Sequence, residues 1–183
     1  MIIGLTGRNC SGKGTVADYF KEQGYGYYSL SDAIRQYLKD QGLPESRDNL
    51  IAGGRELRRS GGPGVLGQRI LALLEPGQNY VVDSIRNPAE VTPLRSRSDF
   101  VLLEIQAPEQ LRYDRLIARG RIGDAESFEE FQRQEQAELS STDSAAQQLE
   151  ATADCADHVL INKGSLEGLH QQLQTLCKTW ATR

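Results

Sequence analysis

Short apolar runs rich in β-branched and aromatic residues recur at 2–6, 25–29, 80–83, 101–105 and 158–162, separated by longer stretches of helical period. That alternation predicts a parallel β-sheet covered by helices. In the first intervening stretch Val16, Tyr19 and Phe20 share one face, so a helix is expected from Lys13 to about Gln23, with Gly24 as its stop. In the last, Leu166, Leu169, Leu173 and Leu176 predict a helix from 166 to about 179 with all four leucines inward.

The stretch 31–75 carries helical pattern without a convincing strand, and Gly61-Gly62-Pro63-Gly64 interrupts it. A second insertion, 119–150, is acidic around Glu126 to Glu138 and rich in Ser, Thr and Gln beyond. It is expected to be a mobile surface cover. With no internal repeat and no interdomain linker, the reading is one domain with a core of 1–30, 76–118 and 151–183. The expected architecture is a three-layer α/β fold on a five-stranded parallel sheet, with helices inserted at 31–75 and a cover at 119–150.

Composition narrows the class. Hydrophobic residues make up 38% and charged residues 25% of the 183, and no apolar run approaches the roughly 18 residues of a membrane helix. The chain starts directly on the strand-like Met1-Ile2-Ile3-Gly4-Leu5-Thr6, with no secretory pattern, so a cytoplasmic location and no membrane partner are expected. Three widely spaced cysteines and two histidines give neither a disulfide framework nor a zinc cluster. A net charge of −4 and a pI near 5.3 exclude gripping nucleic-acid backbone as the main task. Monomer and homodimer stay equally open.

The chemistry concentrates at Gly7-Arg8-Asn9-Cys10-Ser11-Gly12-Lys13, which satisfies GxxxxGK between a predicted strand and a predicted helix. Glycines let successive N–H groups point at phosphate oxygens, the helix N-terminus adds partial positive charge, and Lys13 reaches the β- and γ-phosphates. ATP is therefore expected on Gly7, Asn9, Cys10, Ser11, Gly12, Lys13, Gly14 and Thr15. Cys10 reads as a small filler, because no base lies near it in sequence. Tyr80-Val81-Val82-Asp83 is an apolar strand ending in a carboxylate, the place from which Asp83 can orient magnesium and its waters. Thr15 is expected to face the same Mg2+ through water.

Gly14 stands where Ser or Thr usually follows the lysine, and the resulting Gly12-Lys13-Gly14-Thr15 resembles the nucleoside monophosphate kinases. Asp83-Ser84-Ile85-Arg86-Asn87-Pro88-Ala89-Glu90-Val91 resembles the signature of the deoxynucleoside monophosphate kinase group, and also the P-loop domain of some deoxycytidylate deaminase-type proteins. Ser31-Asp32-Ala33-Ile34-Arg35 is similar to their acceptor helix, and Arg115 to Arg121 to the approach to their lid. Ala156 to Leu166 resembles the end of dephospho-coenzyme A kinases, whose last strand leads to a loop beside the adenine. The resemblance implies a small-molecule kinase: Asp32, Arg35, Arg58 and Arg86 on the acceptor, Asn162 and Gly164 beside ATP, and Lys13, Asp83, Arg119 and Arg121 at the transferring phosphate. It also implies that magnesium is held largely by phosphates and water.

Competing readings stand beside this one. Dephospho-coenzyme A is the alternative acceptor, although the proline-containing segment its kinases carry after strand three is replaced here by Ser84-Ile85-Arg86-Asn87. A GTP switch is disfavoured because Asn162-Lys163-Gly164-Ser165 lacks the guanine-reading carboxylate. A nucleotide sensor without turnover is the alternative of another class, and no HxE or PCxxC is present for deamination. Arg55 and Arg58 divide evenly between acceptor and ion-paired roles, whereas His158, Trp180, Tyr25, Tyr27 and Tyr28 read as packing groups.

Overall fold

The computed structural model describes residues 1–120, 124–139 and 143–181. Its centre is a five-stranded parallel sheet in which β1 (Ile2–Thr6) lies between β3 (Tyr80–Asp83) and β4 (Phe100–Gln106), with β2 (Gly26–Ser29) and β5 (His158–Ile161) at the edges. Ile2 pairs in register with Tyr80 on one side and Phe100 on the other. Every residue of β1 is buried, as a continuous apolar run in the middle of a parallel sheet requires.

The period of two along each strand divides the core. Ile2, Val82 and Leu102 point to the layer built by α2 (Leu30–Asp40), α3 (Arg47–Gly61), α4 (Val65–Leu71) and α5 (Pro88–Leu94). Ile3, Leu5, Val81 and Leu103 point to the opposite layer, where α1 (Lys13–Glu22) contributes Val16 and Phe20 and α9 (Leu166–Ala181) contributes Leu169 and Leu173. The sequence-derived fold class is therefore the observed one.

Trp180 packs on His158 and Phe20, in the structural role expected for both ring systems. The Gly61–Gly64 break falls between α3 and α4, with Gly62 at φ 88°. One expectation fails: Leu166 is 57% exposed. It opens the first turn of α9, ahead of Leu169, which is the first residue of that face to meet the sheet.

Between α6 (Glu109–Arg119) and α8 (Leu149–Ala153), the stretch read as a surface cover carries α7 (Phe128–Leu139). α7 is fixed by Phe131, fully buried against Leu116 and Ala125, and by the buried ion pair of Glu135 with Arg112 on α6. Arg121 lies outside the described residues. Among the described residues, no helix is long and apolar enough to cross a membrane.

Because the chain leaves β1 toward the β2 edge and leaves β3 toward the β4 side, the carboxyl ends of β1 and β3 lie side by side at the point where a parallel sheet leaves a crevice. The loop after β1 and the turn after β3 carry the two motifs singled out from the sequence.

Candidate functional site

The loop after β1 adopts left-handed backbone at Gly7 (φ 132°), Cys10 (φ 57°) and Gly12 (φ 106°). A Cβ at Gly7 would collide with the Ile105 carbonyl, and one at Gly12 with the Asn162 amide, so glycine is required twice over. α1 then begins at Lys13 with no side-chain cap and no acid in its first turn. Its N-terminal N–H groups and the positive end of the helix dipole are left for an anion.

Lys13 Nζ donates to the carbonyls of Gly7 at 2.8 Å and Arg8 at 2.9 Å. Burial pushes its pKa from 10.5 to about 8, and the nearby Arg86 charge pushes the same way. Cys10 goes the other way, because burial raises its thiol pKa and keeps it protonated; this agrees with its reading as a filler rather than a nucleophile. Ser11 Oγ is buried with no hydrogen-bond partner among the described residues.

Two side chains brace the loop. Asn162, at the end of β5, donates to the Ser11 carbonyl at 2.9 Å and accepts from Gly164 N at 3.1 Å. Arg115 on α6 donates to the carbonyls of Cys10 (3.1 Å) and Ser11 (3.3 Å) and to Asn162 Oδ1 (3.2 Å). Sequence reasoning missed this role for Arg115. The signal was present, because Arg115 and Arg119 are four apart and so share one face of α6.

In front of the loop opens a cleft of about 780 Å³. Asn9, Cys10, Ser11, Gly12, Lys13, Gly14 and Thr15 line one part of it, and Asp83, Arg86, Arg35, Arg58 and Arg119 are among the residues that line the rest. Gly7, Asp32, Asn162 and Gly164 are not in its wall. Gly14 has open space where a Cβ would be, so its lack of a hydroxyl is not imposed by crowding.

Asp83 Oδ1 accepts from Ser84 N at 2.6 Å, and its Oδ2 faces the Tyr27 hydroxyl at 3.4 Å. Tyr27, read from sequence as a packing group, instead stands at the cleft. Burial, reinforced by the Asp83 charge, pushes its pKa up to about 12, so it keeps its proton.

The following turn explains the rest of that signature. Glu90, fully buried, accepts from Arg86 N (2.9 Å) and Asn87 N (3.0 Å) and pairs with Arg58 at 2.8 Å. Burial nonetheless pushes its pKa up, against the pull of Arg58 and the two backbone donors. Asn87 caps α5 through Ala89 N and donates to the carbonyls of Ser144 and Ala146. Asn87 and Glu90 thus build the turn and leave the Arg86 side chain for the cleft.

The other arginines expected at the site, among the described residues, also have partners. Arg58 is 4% exposed and bound to Glu90 and the Ala145 carbonyl. Arg35 pairs with Asp32 at 2.7 Å and Glu45 at 3.3 Å. Arg119 pairs with Asp124 at 2.8 Å and reaches Asn9 Oδ1 at 3.3 Å. Arg47, Glu138 and Gln147 also line the cleft and were not foreseen.

A parallel sheet in this order, with a glycine-rich phosphate loop after its central strand and a carboxylate at the end of the neighbouring strand, defines a P-loop protein of kinase-like fold. The chain belongs to the AAA domain family, whose pattern it matches over residues 3–139, and to the UPF0200 proteins. It is 30% identical to the UPF0200 protein of Pyrococcus abyssi over 97% of this chain and 96% of that one. Among solved structures it resembles TT1252 from Thermus thermophilus, with a TM-score of 0.63 and 25% identity over 98% and 97% of the two chains. Shikimate kinase from Aquifex aeolicus shares the fold at a TM-score of 0.56 and 16% identity, over 100% of this chain and 99% of that chain.

Proposed function

We propose that this protein is a magnesium-dependent kinase that moves the γ-phosphoryl group of ATP onto a nucleotide-like acceptor, first of all a nucleoside or deoxynucleoside monophosphate. The observation that carries this reading is the continuity of one cleft. The phosphate loop, Asp83, Arg86 and the apolar Ile34, Leu50 and Ile51 all line it, so it can take, besides the phosphates, a second molecule with an anionic end and an apolar body.

In this reading ATP lies on the phosphate loop, with Lys13 at its β- and γ-oxygens. Arg86 holds the acceptor, and its planar fork suits a phosphate better than a lysine would. Arg119, released from Asp124, adds positive charge where negative charge spreads during transfer, and Arg121 is assigned the same part. No covalent intermediate is needed, because catalysis rests on position and charge.

The donor set fits magnesium. Asp83 and Thr15 line the same cleft as the phosphate loop, and the unpartnered Ser11 hydroxyl marks a loop built to receive a further polar group. Asp83 and Thr15 would hold the ion through water, and the ion would supply neutralisation of phosphate charge.

A monophosphate acceptor attacks through an oxygen that is already anionic at neutral pH and needs no general base. This agrees with Asp83, whose two oxygens face the Ser84 N–H and a Tyr27 hydroxyl that keeps its proton. A hydroxyl acceptor such as dephospho-coenzyme A would need that carboxylate as a base.

A coupled assay of ADP release against a panel of ribo- and deoxynucleoside monophosphates and dephospho-coenzyme A tests the proposal. ADP release that depends on a monophosphate is expected. Release supported by dephospho-coenzyme A alone would transfer the assignment to that acceptor, and no acceptor-dependent release would contradict it.

A further inference from the structure

Three helices and turns converge on one carboxylate at the wall of the cleft. Glu138, the penultimate residue of α7, is 8% exposed. Its Oε1 accepts from Arg47 Nε at 3.1 Å and Nη2 at 2.7 Å. Its Oε2 lies 3.5 Å from Arg86 Nη1, which also donates to Gln147 Oε1 at 3.0 Å. Arg47 comes from the start of α3 and Arg86 from the turn after β3, so the two guanidinium groups approach from elements 39 positions apart in sequence.

Two forked cations closing on one small anion is the arrangement that holds a phosphate group. Here a carboxylate of the chain itself fills it, and fills it imperfectly. One negative charge faces two positive ones, and the Arg86 contact is at the long limit of a hydrogen bond. Nearby Lys13 feels the surplus, since Arg86 is the leading charge that lowers its pKa. A glutamate in the last turn of a helix also opposes the helix dipole, so it is held there by the arginines against a local cost.

We propose that Arg47 and Arg86 form a subsite for a phosphate monoester dianion, and that Glu138 is its built-in stand-in, displaced when the dianion binds. The kinase reading supplies the identity of the phosphate's owner, a nucleotide acceptor, but the subsite itself does not depend on turnover. Empty, the two arginines keep a partner and the cleft is not a bare pool of positive charge. Occupied, the site frees the end of α7, so that the helix preceding the 143–148 loop registers the presence of acceptor.

The test is calorimetric titration of inorganic phosphate into the full chain, saturated with magnesium and a non-hydrolysable ATP analogue so that the phosphate loop is already filled. Glu138→Gln keeps the shape but removes the competing charge, and it should bind phosphate roughly tenfold more tightly than the parent. Adding Arg47→Gln to that variant should abolish the gain. Affinities within twofold for the parent and Glu138→Gln would overturn the proposal.

A second measurement uses the unaltered chain. Saturating phosphate should speed amide hydrogen exchange over Phe128–Leu139 as Glu138 is released, and unchanged exchange there would also overturn it. If no acceptor is ever phosphorylated while Glu138→Gln still tightens phosphate, the kinase reading falls and the subsite stands. Turnover without any effect of Glu138→Gln has the opposite meaning.

Discussion

Asn162 hydrogen-bonds the carbonyl of Ser11 at 2.9 Å, joining the end of the last strand to the middle of the phosphate loop across 151 positions. The oxygen of the same side-chain amide accepts from Arg115 and from Gly164 N, so a single buried side chain ties together β5, α6 and the loop. A loop that must hold left-handed backbone at three positions depends on such fixing. Asn162→Ala removes one buried hydrogen bond, to Ser11, and two part-buried ones, to Arg115 and Gly164, at about 0.5–1.5 kcal/mol each. The expected outcome is a fall in ATP affinity on the order of tenfold with retained secondary structure, measured by nucleotide titration and circular dichroism.

Lys13 gives a pH prediction. Its pKa is lowered to about 8, so it is charged below that pH and neutral above it. Its contribution to ATP binding is therefore complete below pH 8 and is lost as pH rises through that value. ATP affinity of the free protein should decline above pH 8 at fixed ionic strength. Lys13→Ala should be weaker throughout and lack that decline. Because the Arg86 charge adds to the effect of burial, Arg86→Gln should move the decline to higher pH.

Arg58 and Glu90 form a buried pair at 2.8 Å, and removing one partner leaves a buried charge alone. Arg58→Met should cost about 3–5 kcal/mol, because Glu90 also fixes the turn that presents Arg86. Thermal unfolding should show a loss on the order of 10 °C. An acceptor-binding role without a structural one would instead leave the melting temperature unchanged and raise only the acceptor KM.

The sheet and the phosphate loop were legible because their signals are local. Strand runs, the GxxxxGK spacing and the Gly61–Gly64 break each lie within a few residues. Leu166 shows the limit of that kind of reading: periodicity reports which face a residue shares, but not whether the first turn of the helix has anything to pack against.

The site was legible only where its residues flank strand ends. Arg47, Glu138 and the bracing role of Arg115 are created by contacts that span 91, 52 and 105 positions. No local pattern marks such partners, and an acidic helix such as α7 looks in sequence like solvated surface although Glu135 and Glu138 are buried. The Asp83 to Val91 signature was read as chemistry, yet Asn87 and Glu90 serve its backbone.

Arg86→Lys tests how the work is divided at the end of β3. The lysine keeps the charge but loses the planar fork, so acceptor KM should rise at least tenfold while ATP KM changes by less than about threefold. Steady-state kinetics with each substrate varied in turn provides the check. A rise confined to the ATP constant would place Arg86 on the donor.

A kinase transfers phosphate between two bound molecules rather than hydrolysing one. Phosphorus NMR of the protein with magnesium, ATP and the best monophosphate of the panel reads this directly. Loss of the ATP γ signal with matching growth of a diphosphate of the acceptor is expected, as is a loss of turnover of about a hundredfold or more in Lys13→Ala. Release of inorganic phosphate at a rate indifferent to the acceptor, or turnover in Lys13→Ala within threefold of the parent, would contradict the kinase reading.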